Sequence, residues 1–128
     1  MISSAIYSIL STDSSVTAIV STRIYPDILP MGVDQPAIIY NVGDTGFETT
    51  KAAAVQTKHV LNVIIAHELY DSLNTLAAAI RTALYRKSGT FESVKIQRLS
   101  YVGEDEKGWD EEQQIHVKAL KFEIIENH

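Results

Sequence analysis

The sequence predicts an α+β fold in one domain, residues 1–128, with a mainly antiparallel sheet and helices packed on one face. Residues 60–65 form the densest β-branched and aliphatic run, which predicts a central strand. The spacing then becomes helical, with apolar residues at intervals of three, four and seven positions: Leu69, Leu73, Leu76, Ala77, Ile80 and Leu84. The predicted element order along the chain is helix, helix, strand, strand, strand, helix, strand, strand.

The long helix is predicted over residues 69–86. Glu68 and Asp71 lie near its start and basic residues near its end, which suits the helix dipole. Gly89 stands where a left-handed C-cap residue is expected. A helix of this length spans about 27 Å, enough to cover one face of a sheet.

Two short helices are predicted at the start of the chain. Apolar residues at helical spacing mark the first, within Ile2–Leu10, and Asp13 or Ser14 serves as N-cap of the second, which ends before Arg23. Residues 23–26 form a brief extended segment, because proline cannot donate to a strand ladder.

A long hairpin follows. Residues 37–42 are predicted as a strand, and Gly43 to Ala54 as a long loop rich in glycine and threonine. The next strand, residues 55–66, would extend roughly 40 Å, more than the helix can cover. We therefore expect its polar half, Val55 to His59, and the preceding loop to project as a β-arm that meets another subunit.

The last third predicts two further strands. Residues 94–101 alternate with a phase slip that a bulge near Arg98 would explain. Gly103 to Gln114 is predicted to be a charged loop, and Ile115 to Ile125 the closing strand.

Composition excludes several classes of function. The chain has no cysteine, so disulfides and thiolate chemistry are excluded. The net charge of −5 argues against a protein that grips nucleic-acid phosphates over a broad surface. No stretch is long enough for a membrane span or typical of a signal peptide, so we expect a soluble protein kept inside the cell.

No motif predicts a catalytic, metal or cofactor site. His67-Glu68 begins like a zinc-protease helix, but Asp71 stands where the second histidine is required. The acidic run between Glu104 and Glu112 has the wrong spacing for an EF-hand, and a solvated loop is the preferred interpretation. Trp109 lies within this charged segment, where a large aromatic residue is typical of a contact surface.

The order of short motifs resembles the tail-completion, or tail terminator, family of long-tailed bacteriophages. The resemblance rests on Arg23-Ile24-Tyr25-Pro26, Pro36-Ala37-Ile38-Ile39-Tyr40, Leu69-Tyr70 before a helix, and Leu120-Lys121-Phe122-Glu123-Ile124 after an acidic segment. It implies a structural virion protein with no catalytic residues and no cofactor. The chain would cap the tail tube as a ring, end tube polymerisation and provide the head-joining surface.

The resemblance also implies partners and location. These are other copies of the chain, in a ring expected to be a hexamer, the tail tube protein and a head-completion or neck protein, while DNA passes through the bore without specific binding. The location would be the virion tail, with the host cytoplasm during assembly, for an active phage or a prophage. The candidate subunit or tube contacts are Phe47, Lys51, Gln56, Lys58, His59, Glu104, Asp105, Glu106, Trp109, Asp110 and Glu111.

Two alternatives remain at this stage. A neck adaptor between portal and tail belongs to the same broad class of proteins. A small metal-dependent enzyme would instead use the acidic segment with His67 or His116.

Overall fold

A computed structural model describes residues 2–26, 36–49, 54–85, 87–110 and 115–127, and for residues 44–49, 54–57, 105–110 and 127 it describes the backbone alone. Three α-helices lie within these ranges: α1 (Ile2–Thr12), α2 (Ser14–Val20) and α3 (Tyr70–Leu84). The described strands are β1 (Ile24–Pro26), β2 (Ala37–Thr49), β3 (Ala54–His67), β4 (Gly89–Phe91), β5 (Val94–Asp110) and β6 (Ile115–Asn127).

The strands form one curled sheet in the order β1-β2-β3-β6-β5-β4. Every neighbouring pair is antiparallel except β1 and β2, which pair in parallel at one edge. The α+β class and the mainly antiparallel sheet are therefore confirmed. Strand β4 is an addition that the sequence did not predict. None of the described helices is both long and apolar enough to span a membrane.

The core lies between the helices and one face of the sheet. Alternate residues of the central strands point into it, and Leu61 of β3 pairs with Phe122 of β6, both fully buried. Helix α3 buries most of the apolar stripe that its spacing predicts, namely Leu73, Leu76, Ala77, Ile80 and Leu84, and it also buries Ala83. The inclusion of Leu69 is wrong, because Leu69 lies before the first turn of α3 and is 63% exposed. Fully burying one such large side chain contributes roughly 1.5–3 kcal/mol, so this layer fixes α3 on the sheet.

Of the two predicted helix caps, one is confirmed and one is wrong. Asp13 caps α2 as predicted, because its carboxylate accepts hydrogen bonds from the backbone N–H groups of Ser15 and Val16 at 3.0 and 3.1 Å. The prediction that Gly89 caps α3 is wrong. The helix ends at Leu84, because the backbone of Tyr85 is already extended (ψ 124°), and Gly89 instead begins β4 with φ 129°.

The two segments predicted as long loops are mostly strands. Strand β2 continues to Thr49 and β3 begins at Ala54, so most of the predicted loop from Gly43 to Ala54 is wrong. Strand β5 likewise continues to Asp110 through the predicted loop from Gly103 to Gln114. Both segments are polar, but a hairpin ladder satisfies backbone hydrogen bonds without an apolar face, so composition did not reveal them.

The hairpin of β2 and β3 is confirmed. Within the half predicted to project as an arm, Val55 to His59, residues 56–59 pair with β2 on one side and with β6 on the other, where Gln56 lies opposite Asn127. Strand β6 pairs with β3 continuously from Gln56 to His67, so it supports this half of the hairpin.

Strand β5 contains repeated irregularities. The bulge predicted near Arg98 is confirmed by a register shift between Ile96 and Arg98. Further shifts follow between Tyr101 and Gly103 and between Glu106 and Gly108. Bulges increase the local twist of a strand, which fits the curl of the sheet.

Candidate assembly surfaces

The two predicted contact regions lie at opposite ends of the sheet. Lys58 of β3 pairs with Ile125 of β6, whereas Asp110 of β5 pairs with Ile115 of the same strand. Ten residues of β6 separate these positions, about 33 Å along a strand. By register, the first region holds Phe47, Gln56, Lys58 and His59, and the second, on β5, holds Glu104, Asp105, Glu106, Trp109 and Asp110. Lys51 and Glu111 lie outside the described residues.

Adjacent residues of the first region point in opposite directions. His59 is only 5% exposed, and its Nε2 lies 2.8 Å from Oε1 of Glu126, on the helix side of the sheet. Lys58 faces the other side, where its Nζ lies 3.5 Å from Oε1 of Glu123. Lys58 is therefore the more accessible of the two for a partner.

The face of the sheet opposite the helices carries a group of cations, which we call the basic face: Lys58, Lys95, Arg98 and Lys121. Lys58 and Arg98 both pair with Ile125, so they flank it in one row across three strands. Lys95, Arg98 and Lys121 are exposed. This group was not predicted from the sequence. Strand alternation does place Lys121 on the opposite face from Leu120 and Phe122, but the register between β5 and β6, which brings the cations together, is not visible in the sequence.

A buried lysine lies on the helix side of the sheet. Lys118 is 4% exposed, and its Nζ donates to Oδ1 of Asn74 on α3 at 2.6 Å. Its Nζ also lies 3.4 Å from Oε1 of Glu104, whose side chain is 39% exposed. Nearby, the ring of His116 contacts Tyr70 edge-on, with centroids 5.3 Å apart. The group joins β5, β6 and the first turns of α3.

A mainly apolar groove of about 370 Å³ lies between the end of α3 and β5. Its described lining is Arg81, Thr82, Tyr85 and Tyr101. The guanidinium carbon of Arg81 lies 5.3 Å from the centre of the Tyr101 ring, within cation–π range.

His67 makes a backbone contact that is typical of a structural role. Nδ1 of His67 accepts a hydrogen bond from the backbone N–H of Leu69 at 3.0 Å, at the turn into α3. Partial burial lowers the pKa of His67, and the carboxylate of Glu68 opposes this effect. Among the residues whose side chains are described, no group of three or more His, Asp or Glu has the arrangement of a metal site.

The fold matches that of a solved virion component. A chain from the "Virion of native gene transfer agent (GTA) particle" superposes with a TM-score of 0.77, at 18% identity, over 97% of this chain and 92% of the other. A second solved chain superposes with a TM-score of 0.61, at 11% identity, over 92% of this chain and 89% of the other. At these identities the matches show a shared fold. No curated protein matches the sequence.

The described residues thus form a single α+β domain. The profile of the family "Tail completion protein gp17" matches residues 4–126, and the chain belongs to that family. This confirms the resemblance that the sequence motifs indicate. The chain is a structural protein of a phage-type tail that associates with other virion proteins, and it is not an enzyme.

Proposed function

We propose that the chain caps the end of a completed tail tube as a homo-oligomeric ring, expected to be a hexamer. The ring stops further tube polymerisation and presents the surface to which the filled head joins. Its partners are the tail tube protein and a head-completion or neck protein, and it assembles in the host cytoplasm before it becomes part of the virion tail.

The observation that carries this proposal is the extent of the family match. The family profile spans residues 4–126, which is nearly all of the sequence. A subunit that closes a tube needs few parts: a rigid domain, contacts to its neighbours in the ring and two end surfaces. A sheet with one buried face, on which the rows of Lys58 and Asp110 lie about 33 Å apart along β6, suits that role.

The charge of the chain suits a ring through which DNA passes. The formal net charge is −5, so a ring of several copies carries a large negative charge. Like charges repel the DNA backbone, and a bore lined this way would let the genome pass without holding it.

The test is to remove the gene and image the particles that remain. If the chain caps the tube, tails without it continue to grow, and they appear longer than normal and separate from filled heads. Expression of the wild-type chain from a plasmid restores normal length and head attachment. A neck adaptor, the second candidate, predicts a different result: tails of normal length that do not attach to heads.

A further inference from the structure

We propose that the basic face of one copy binds the acidic β5 segment of the next copy. This inference rests on the proposed ring and identifies the contact between its subunits. The basic face consists of Lys58, Lys95, Arg98 and Lys121. The acidic β5 segment is defined here as residues 104–110, which contain Glu104, Asp105, Glu106 and Asp110. The occupant of the basic face is therefore a second copy of this chain.

The basic face is compact and opposite in sign to the chain as a whole. Lys58 and Arg98 lie on either side of Ile125, Lys95 pairs with Asn127 two positions further along β6, and Lys121 pairs with Asn62 and Gly103. Glu123 lies between these rows, and its side chain is 37% exposed. Among the side chains that the structure describes on this face, four cations stand against this one carboxylate, in a chain whose net charge is −5.

The acidic β5 segment begins next to the row of Lys121 and continues away from Lys58 and Arg98. Its residues pair with β6 from Leu120 to Ile115, whereas Lys121 pairs with Gly103 and the row of Lys58 and Arg98 pairs with Ile125. The segment has four carboxylates against the one cation of Lys107. Lys118 offsets only part of this charge, because its Nζ lies 3.4 Å from Glu104 and the Glu104 side chain remains 39% exposed.

Two complementary patches on one subunit give a head-to-tail contact. Such a contact is heterologous, because different surfaces meet, and it generates a closed ring when its rotation closes. Each copy then offers one basic and one acidic patch to its neighbours. Complementary potentials of this kind favour the correct register between subunits and speed their encounter.

The composition of the basic face favours a protein occupant over a polyanion such as DNA. Glu123 lies at its centre, where it repels phosphate groups. Ile125, Val60 and Val102 lie among or beside the cations, and Val102 is 57% exposed. Phosphate contacts do not cover apolar side chains, whereas a neighbouring subunit does.

The geometry of β5 favours contact through side chains over strand addition at the sheet edge. Within the described ladders, β4 pairs with β5 only from Val94 to Ile96. The rest of β5 has register shifts at three places and many charges. Bulges and charges are devices by which proteins prevent edge strands from pairing, so the adjacent face is the better contact surface.

The experiment measures self-association of the purified full-length chain by native mass spectrometry and sedimentation, from micromolar to roughly 1 mM protein. The basic-face variants are Arg98→Glu and Lys121→Glu, singly and together. Lys87→Glu is the matched control, because it makes the same change of charge away from the basic face. Asp105→Lys with Asp110→Lys is the acidic-segment variant, with Glu68→Lys as its control. Circular dichroism checks the fold of each.

The wild-type chain is expected to associate, and less so as salt rises above about 0.15 M. Each basic-face reversal weakens association about tenfold relative to Lys87→Glu, because like charges then meet at the contact. Neither double variant associates alone, but an equimolar mixture does. The two double variants alternate around the ring, which closes when the number of copies is even.

Three results overturn this contact. The first is a wild-type chain that stays monomeric at roughly 1 mM. The second is a mixture that associates no better than its separate components. The third is binding of the basic face to duplex DNA at about 0.15 M salt, lost in Arg98→Glu, without self-association. Tail length after gene removal is a separate readout, so overlong tails with a failed charge swap would refute the contact and keep the capping role.

Discussion

Nζ of Lys118 lies 2.6 Å from Oδ1 of Asn74, and this hydrogen bond joins the first part of β6 to helix α3. Lys118 is 4% exposed, so its ammonium group has lost most of its contact with water. A buried charge is stable only when hydrogen bonds and opposite charge compensate for the lost hydration. Asn74 and Glu104 supply part of that compensation, and α3 is thereby held in one position on the sheet.

Replacing Asn74 with Ala is expected to destabilise the fold by about 1–3 kcal/mol, because it removes a partner of a buried ammonium group. Urea denaturation followed by circular dichroism measures this change. Thr75→Ala, one position along the same helix at an exposed site, is the control, with an expected change within about 0.5 kcal/mol.

A second variant of the Lys118–Asn74 pair separates the cost of burying the lysine charge from the loss of side-chain packing. Lys118→Met keeps a similar volume and removes the charge, so it should cost less stability than Asn74→Ala. If Asn74→Ala were as stable as Thr75→Ala, the hydrogen bond to Lys118 would have no energetic role.

The stability of the fold should fall in mild acid, partly because of His67. Its pKa is lowered from 6.5 by partial burial, so the folded chain binds fewer protons at this site than the unfolded chain. A group with a lowered folded pKa contributes stability above its unfolded pKa and loses that contribution as the pH falls. Protonation of Nδ1 would also break the hydrogen bond from Leu69 N–H at the start of α3.

His67→Asn is the informative variant, because an amide oxygen can accept the same hydrogen bond without titrating. Between about pH 7 and pH 5, its unfolding free energy should depend less on pH than that of the wild type. Nuclear magnetic resonance titration of the wild-type imidazoles provides a direct check, with His116, directly opposite His67 in the ladder, resolved separately. A measured pKa for His67 above 6.5 would contradict this account.

The elements with strong local patterns could be predicted from sequence. The stripe from Leu73 to Leu84 has helical spacing, Asp13 is a typical N-cap, and the phase slip near Arg98 is a direct sign of a bulge. Each of these features is set by residues within a few positions of one another, so the chain itself contains the signal.

The features that failed depend on residues distant in sequence. Gly43 to Thr49 is too polar to be recognised as a strand, and it becomes one because β3 supplies its ladder partners. The basic face arises only when Lys58, Arg98 and Lys121 are brought together by the register of three strands. A single sequence does not encode that register visibly, which is why this surface was missed.

Trp109 remains the aromatic residue that we expect to make a subunit or tube contact. Its backbone pairs with His116 near the end of β5, within the acidic segment. Trp109→Ala should leave the chain folded but weaken ring or tail assembly by about tenfold or more, because buried aromatic side chains contribute most to many interfaces. Sedimentation measures the ring, and counts of infectious particles measure the tail. Tyr7→Ala is the control, since Tyr7 is a 43% exposed aromatic residue on α1. Normal numbers of infectious particles from Trp109→Ala would exclude this contact.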